Sequence, residues 1–343
     1  MTTDLLARAR REGTPVIDGD RATFVWQGST APRLIGDFTH WEKKPLALRR
    51  AGDALWTRSI AFYEDAYVEY AFLDGTQRLS DPLNARRIPN GIGATNHSFY
   101  MPQGTPTPLA RRGRTVPRGR LMRHSVAAGP FVARGRRDVW LYAPAARGPW
   151  PLLVVFDGND YRRRAKLAII ADNLIATGRA RPFAMALLHH GRDARVVEYS
   201  ANDVTLGFVT DRVLPLARKR LDLVARPGAH AVLGASMGGL MALYSGLRAP
   251  DLFGAVISQS GAFGFPARRE SIVFHLVRTL PRRLRHIWMD VGHLEYLAPE
   301  NRRLSRALRA RGYDVTYRAY HGGHNWTAWR DDVWRGLEAV FGT

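Results

Sequence analysis

The 343-residue chain contains no cysteine. There is therefore no disulfide, no thiolate nucleophile and no cysteine metal site, which fits a reducing compartment. Lysine is nearly absent as well: Lys43, Lys44, Lys166 and Lys219 are the only four among 51 basic residues. Arginine thus carries nearly all of a formal net charge of +21. Arginine in place of lysine throughout is what a GC-rich coding bias produces. The basic residues are also scattered rather than gathered in one tract. Both points argue against nucleic acid as the partner. The field is better suited to drawing in a small anionic substrate. No membrane-spanning run is evident: the uncharged stretch from Pro227 to Leu247 holds a proline, glycines, serines and a histidine. Met1-Thr2-Thr3-Asp4-Leu5-Leu6-Ala7-Arg8 lacks the charged-then-apolar layout of a signal peptide. A soluble, cytoplasmic protein is expected, with no membrane partner. The number of subunits stays open, a homodimer being one arrangement.

What the sequence does have is a stretch around which the rest is arranged, Ala231-Val232-Leu233-Gly234-Ala235-Ser236-Met237-Gly238-Gly239-Leu240. Ala231 to Leu233 is a short apolar run. Leu240, Leu243, Tyr244 and Leu247 then fall on one face of a helix. Between them lies Gly-x-Ser-x-Gly, the pattern of a nucleophile elbow, in which a strained turn projects the serine hydroxyl. Glycine two residues before and after the serine lets strand and helix approach without a Cβ. No Lys-Ser/Thr pair follows the glycines, so a phosphate cradle fits poorly.

Ahead of this stretch the pattern has period two. Phe24 and Trp26, Leu34-Ile35, Leu55 to Ile60, Tyr67 to Phe72 and His97 to Tyr100 read as short strands. Turns at Gly36-Asp37, Gly52-Asp53, Asp74-Gly75, Asp81-Pro82 and Asn90-Gly91 separate them. This spacing predicts a small β-sandwich domain over residues 1–101, opening with a short helix from Met1 to Gly13. Residues 102–118, rich in Pro, Gly, Thr and Arg, read as a linker. From 119 to 343 strands alternate with helices: Leu121 to Val126, Asp138 to Tyr142, Leu152 to Phe156, Phe183 to Leu188, Ala255 to Ser258, Ile287 to Val291 and Val315 to Tyr320. That alternation implies an open, mostly parallel sheet, the α/β class.

A serine hydroxyl needs an adjacent base, normally a histidine oriented by a carboxylate. In open α/β folds such groups lie beyond the carboxyl ends of strands. After Ile287 to Val291 comes Gly292-His293-Leu294-Glu295; after Val315 to Tyr320 comes His321-Gly322-Gly323-His324. Serine, acid, histidine is the α/β-hydrolase order. The pair His321 and His324 lacks an acidic third ligand, so no metal is expected, nor any other cofactor.

The residues from Gly119 onward resemble the enterochelin (siderophore) esterases and their relatives, the feruloyl esterases and the esterase D group. The resemblance rests on Gly119-Arg120, Arg137 to Pro144, Phe156-Asp157-Gly158, Arg195 with Glu198-Tyr199, Leu214-Pro215, Gly234 to Gly239, Pro250 to Gly254, Ser258 to Gly261, Gly322-Gly323-His324 and Trp329-Arg330. The first domain resembles early-set immunoglobulin-like modules through Gly36 to Trp41, Trp56, Tyr70 to Gly75, Asp81-Pro82 and Asn96. In carbohydrate-binding relatives exposed tryptophans stack on sugars, so Trp41 and Trp56 are either sugar platforms or core residues.

The resemblance implies an α/β-hydrolase behind a β-sandwich. It assigns Ser236 as nucleophile and His324 as general base, with His321 as local rival. Glu295 is the acid, with Asp290 as competitor from inside a strand. The oxyanion hole would use the N–H of Met237 and one from Gly158 or Asn159. Arg162 and Arg195 are candidate contacts for an anionic substrate, with Glu198 as the alternative partner for Arg195. The implied reaction is ester hydrolysis through an acyl-enzyme. The leading substrate is an ester or trilactone of a catecholate siderophore, with or without iron. Rival readings are a feruloyl or acetyl esterase acting on polysaccharide and a non-catalytic glycan-binding protein.

Overall fold

Residues 2–91, 93–133, 135–266 and 270–343 are described by a computed structural model of the protein. The expected first helix runs Thr2–Glu12; Met1 lies outside the described residues. The chain divides into two compact units. One comprises residues 1–106 with 292–296 and 319–328, and the other 107–291 with 297–318 and 329–343.

The first unit is built on strands β1 (Val16–Asp18), β2 (Arg21–Gln27), β3 (Arg33–Gly36), β4 (Leu46–Ala47), β5 (Arg49–Gly52), β6 (Leu55–Ala61), β7 (Tyr67–Asp74), β8 (Gln77–Leu79), β9 (Arg87–Pro89) and β10 (Thr95–Tyr100). Among the described residues they form two sheets, ordered β1-β2-β6-β5 and β4-β3-β7-β10-β9, with β8 beside β7. Strand β7 is buried from Tyr67 to Leu73, as its central place requires. The core is aromatic. Phe24 meets Tyr70 edge-on at 4.8 Å, and Phe62 meets Phe99 the same way at 5.7 Å. Such pairs contribute about 0.5–1.5 kcal/mol each beyond area burial. The Tyr70 hydroxyl donates to Asp81 at 2.6 Å, so this buried polar tip is satisfied. Trp41 lies under the Arg78 guanidinium at 4.7 Å, and the Trp56 indole N–H donates to the Gly28 carbonyl at 3.0 Å. Both rings are half-buried and pack against the hydrophobic clusters of the unit.

The second sheet contains β11 (Arg120–Ala127), β12 (Arg136–Ala143), β13 (Leu152–Val155), β14 (Ala184–Leu188), β15 (His230–Ala235), β16 (Phe253–Gln259), β17 (His286–Gly292) and β18 (Val315–Tyr320). Among the described residues its order is β11-β12-β14-β13-β15-β16-β17-β18. Strands β11, β12 and β14 pair antiparallel; β14, β13, β15, β16 and β17 pair parallel. Every residue of β13, β14, β15 and β16 is buried, as the continuous apolar runs predict for strands covered on both faces. The Pro/Arg-rich segment is no free tether where it joins this unit. The Asn173 side-chain amide donates to the Leu109 and Arg111 carbonyls at 2.6 and 2.8 Å, and the Thr107 N–H donates to Asp331 at 3.0 Å. No described helix is long and apolar enough to cross a membrane.

Candidate active site

Strand β15 ends at Ala235, and a helix, Met237–Arg248, begins two residues later. The residue between them, Ser236, holds φ 57° and ψ −122°. This is a conformation that costs a non-glycine residue on the order of 1–3 kcal/mol and persists only where its surroundings enforce it. They do so here with backbone hydrogen bonds on both sides. The Ser236 N–H donates to the Gln259 carbonyl at 2.9 Å, and its carbonyl accepts from Ala262 and Leu240 at 3.0 and 3.1 Å. Gly234 is required by the close approach of the helix: a Cβ there would overlap the Gly238 carbonyl. Ser236 is half-buried, and the Met237 N–H begins the helix beside it.

The parallel neighbour β13 delivers the second loop of this unit. It continues through Phe156 and Asp157 into a helix, Gly158–Arg163. Asp157 is left-handed at φ 53°. A Cβ on Gly158 would overlap the backbone at Leu187 and Leu188, so glycine is what lets this helix start against β14. The Arg195 guanidinium donates to both Asp157 oxygens, at 2.7 and 2.6 Å. Burial works to lower the Arg195 pKa, but the charge and hydrogen bonds of Asp157 outweigh it and raise that pKa above its ordinary value. A Cβ on Gly238 would fall 2.8 Å from Asp157 Oδ2. Asp157 therefore packs between the elbow helix and Arg195, tying the Gly158–Asn159 loop to the elbow. Glu198, the partner weighed for Arg195 from sequence, accepts instead from Arg137 at 2.6 Å and from the Gly191 N–H at 2.9 Å. Arg162 stacks over the Trp140 ring at 4.4 Å and donates to the Asn159 side chain at 3.2 Å. Burial first, then Arg163 and Arg123, lowers its pKa.

In the first unit, the loops after β17 and β18 bring Glu295 and His324 together. The His324 Nδ1 lies 2.6 Å from Glu295 Oε2. The other carboxylate oxygen accepts from the Gly292 N–H at 2.8 Å and the Tyr320 hydroxyl at 2.9 Å. The Glu295 side chain is fully buried and His324 is 24% exposed, so the acid is fixed while the imidazole stays partly exposed. The rivals are engaged elsewhere. Asp290 accepts from the Trp288 indole at 2.8 Å and from the Gln259 amide at 3.2 Å. His321 pairs with Asp65 at 2.5 Å and stacks on Tyr63 at 3.8 Å. The described residues hold no cluster of three or more side chains suited to a metal. Tyr320 and the exposed Tyr296, whose ring lies 6.1 Å from that of His324, were not singled out from the sequence. Their only signal there is position in the two strand-end loops.

Residues 134–339 match the model of the Esterase family. The chain belongs to that family. This esterase is 26% identical to the iron(III) enterobactin esterase of Dickeya dadantii across 93% of its own chain and 88% of that relative. The crystal structure of ferric enterobactin esterase from Salmonella typhimurium shares its fold at a TM-score of 0.79, with 24% identity and 93% of each chain covered. A ferulic acid esterase structure aligns with a TM-score of 0.55 and 18% identity, covering 98% of that chain but 66% of this esterase. The fold is an α/β-hydrolase domain preceded by an all-β domain.

Proposed function

We propose that this esterase cleaves ester bonds of a catecholate siderophore through an acyl-enzyme on Ser236. The observation that carries the mechanism is the strained Ser236 backbone at the tip of the β15 elbow. In this reading His324 takes the hydroxyl proton as Ser236 Oγ bonds to the ester carbonyl carbon. Glu295 holds the imidazole with its other nitrogen toward the serine and stabilises the imidazolium. The N–H of Met237 and one from Gly158 or Asn159 hold the carbonyl oxygen as it becomes negative. The ester C–O bond breaks and His324 returns the proton to the leaving alcohol. Water, activated by the same imidazole, then releases the acid and restores the serine.

The substrate class rests on extent of similarity. The enterobactin esterase of Dickeya dadantii is matched across both units, whereas the ferulic acid esterase structure covers two thirds of the chain. A catecholate siderophore is a bulky polyanion, which suits a chain of charge +21. Arg162, which has no carboxylate partner among the described residues, is the better placed of the two candidate arginines to meet it. Arg195 supports the oxyanion loop through Asp157 instead. A feruloyl esterase is the second reading, supported by that same structural match. The test offers wild type and Ser236→Ala ferric enterobactin, a feruloylated oligosaccharide and p-nitrophenyl butyrate, with products followed by mass spectrometry. The siderophore is expected to be opened by wild type alone. Turnover of the feruloyl ester without the siderophore would transfer the protein to the second reading, and activity surviving in Ser236→Ala would end the mechanism.

A further inference from the structure

One buried acid is not used by the reaction described above. Asp37 begins a 3-10 turn, Asp37–Thr39, directly after β3 and is 3% exposed. Its Oδ2 accepts from the Glu69 backbone N–H at 2.9 Å and from the Asn325 side-chain amide at 3.3 Å. Its Oδ1 is buried with no hydrogen-bond partner among the described residues. Asn325 follows His324 in the chain. Its own side-chain oxygen accepts from the Ala328 N–H at 2.9 Å, capping the helix Trp326–Phe341. On the other side of His324, Gly323 presses on the same carboxyl: a Cβ there would overlap Asp37. The residues flanking the histidine are thus both set against one side chain of the β-sandwich sequence. More of the loop is tied to the same unit, through the Tyr67 N–H to the His321 carbonyl at 3.0 Å and the stack of His321 on Tyr63.

We propose that Asp37 is a positioning residue, which fixes the His324 loop by holding Asn325 and seating Gly323. The proposal rests on the reading of His324 as general base. It gives the all-β domain a part in the reaction through a named contact, apart from any binding of sugar. The ionisable groups facing Asp37 are Glu69 on β7 and Glu295 after β17, both acidic. Burial first, then Glu69, raises its pKa well above the usual carboxylate range. A neutral carboxyl is therefore sufficient for the role, because what Asn325 and the Glu69 N–H require is an acceptor.

The test is a series of variants assayed for kcat and KM and by proton NMR of the His324–Glu295 hydrogen bond. Asp37→Ala is expected to lower kcat about tenfold to a hundredfold with KM nearly unchanged, the scale on which a small misplacement of a catalytic group acts. The low-field imidazole proton should broaden or shift. Asp37→Asn, which keeps the shape and the acceptor, should restore kcat to within a fewfold of wild type. Asn325→Ser retains a helix cap but loses the amide that reaches Asp37, and it should follow Asp37→Ala in kcat. It decides the matter if Asp37→Ala does not fold. Asp37→Ala or Asn325→Ser with wild-type kcat and an unchanged resonance would overturn the positioning role, as would Asp37→Asn no better than Asp37→Ala. A His324→Ala variant as active as wild type would instead remove the reading on which the proposal stands.

Discussion

Ser236, His324 and Glu295 differ in how tightly each is held, and their variants should differ accordingly. Ser236→Ala and His324→Ala are expected to lower kcat by roughly three to six orders of magnitude, with the fold intact by circular dichroism. Glu295→Gln keeps most of the packing but loses the charge behind the imidazole, and a smaller fall of roughly one to four orders is expected. Arg195 calls for a different readout. Its guanidinium neutralises Asp157, which is 1% exposed. Arg195→Ala leaves that carboxylate buried without its counter-charge, a loss of about 3–5 kcal/mol. Urea unfolding should show it, and Arg195→Ala/Asp157→Asn should recover part of it. A stability equal to wild type in Arg195→Ala would contradict this account of the pair. The sequence names both residues but not their pairing. Glu198 is nearer in the chain, and only the fold reveals that Arg137 already holds it.

Among elements, β15 carries a further buried group, His230, whose Nδ1 accepts from the Leu152 N–H at 3.1 Å. Burial first, then Arg218, pushes its pKa down to about 4. The unfolded chain titrates near 6.5, so between these values the unfolded state binds more protons and protonation favours unfolding. Stability from this residue is complete above about pH 6.5 and is lost as pH falls toward 4, on the order of 2 kcal/mol between pH 7.5 and 5. Chemical unfolding at those two pH values, compared with His230→Gln, should show that the variant loses less; equal losses would contradict it. The long strands and helices of the second unit are legible because their apolar runs and 3.6 spacing are strong signals. Strands β1, β4, β5, β8 and β9 span two to four residues each, too few to establish a period. They form only because longer neighbours present edges to them. Gly36-Asp37 shows the other limit. Read locally it is a turn, and it is one, but nothing local indicates that Asp37 is buried against Gly323 and Asn325, nearly three hundred residues later.

For the molecule as a whole, a charge of +21 on a small enzyme should be visible in its kinetics. If the substrate is a polyanion, kcat/KM for ferric enterobactin is expected to fall as salt rises from about 0.01 to 1 M, where the screening length shortens from about 30 to 3 Å. The neutral p-nitrophenyl butyrate should show little change, and parallel behaviour of the two would argue against electrostatic steering. Class, family resemblance and the order serine, acid, histidine are all readable in the linear sequence, because Gly234 to Gly239, Glu295 and His324 sit at strand ends that the apolar runs locate. Distribution between units is not. The loops 292–296 and 319–328 group with the first hundred residues although the strands leading to them do not. Such a division follows from tertiary packing, on which pattern and propensity are silent.

The most direct test of the central claim is covalent labelling with an ester-like phosphonate, which reacts with an activated serine and stays on it. Wild type should gain one phosphonyl group on the peptide containing Ser236, Ser236→Ala should gain none, and His324→Ala should label at least a thousandfold more slowly. Label on another residue, or equal rates in wild type and His324→Ala, would contradict the assignment of Ser236 as a nucleophile activated by His324.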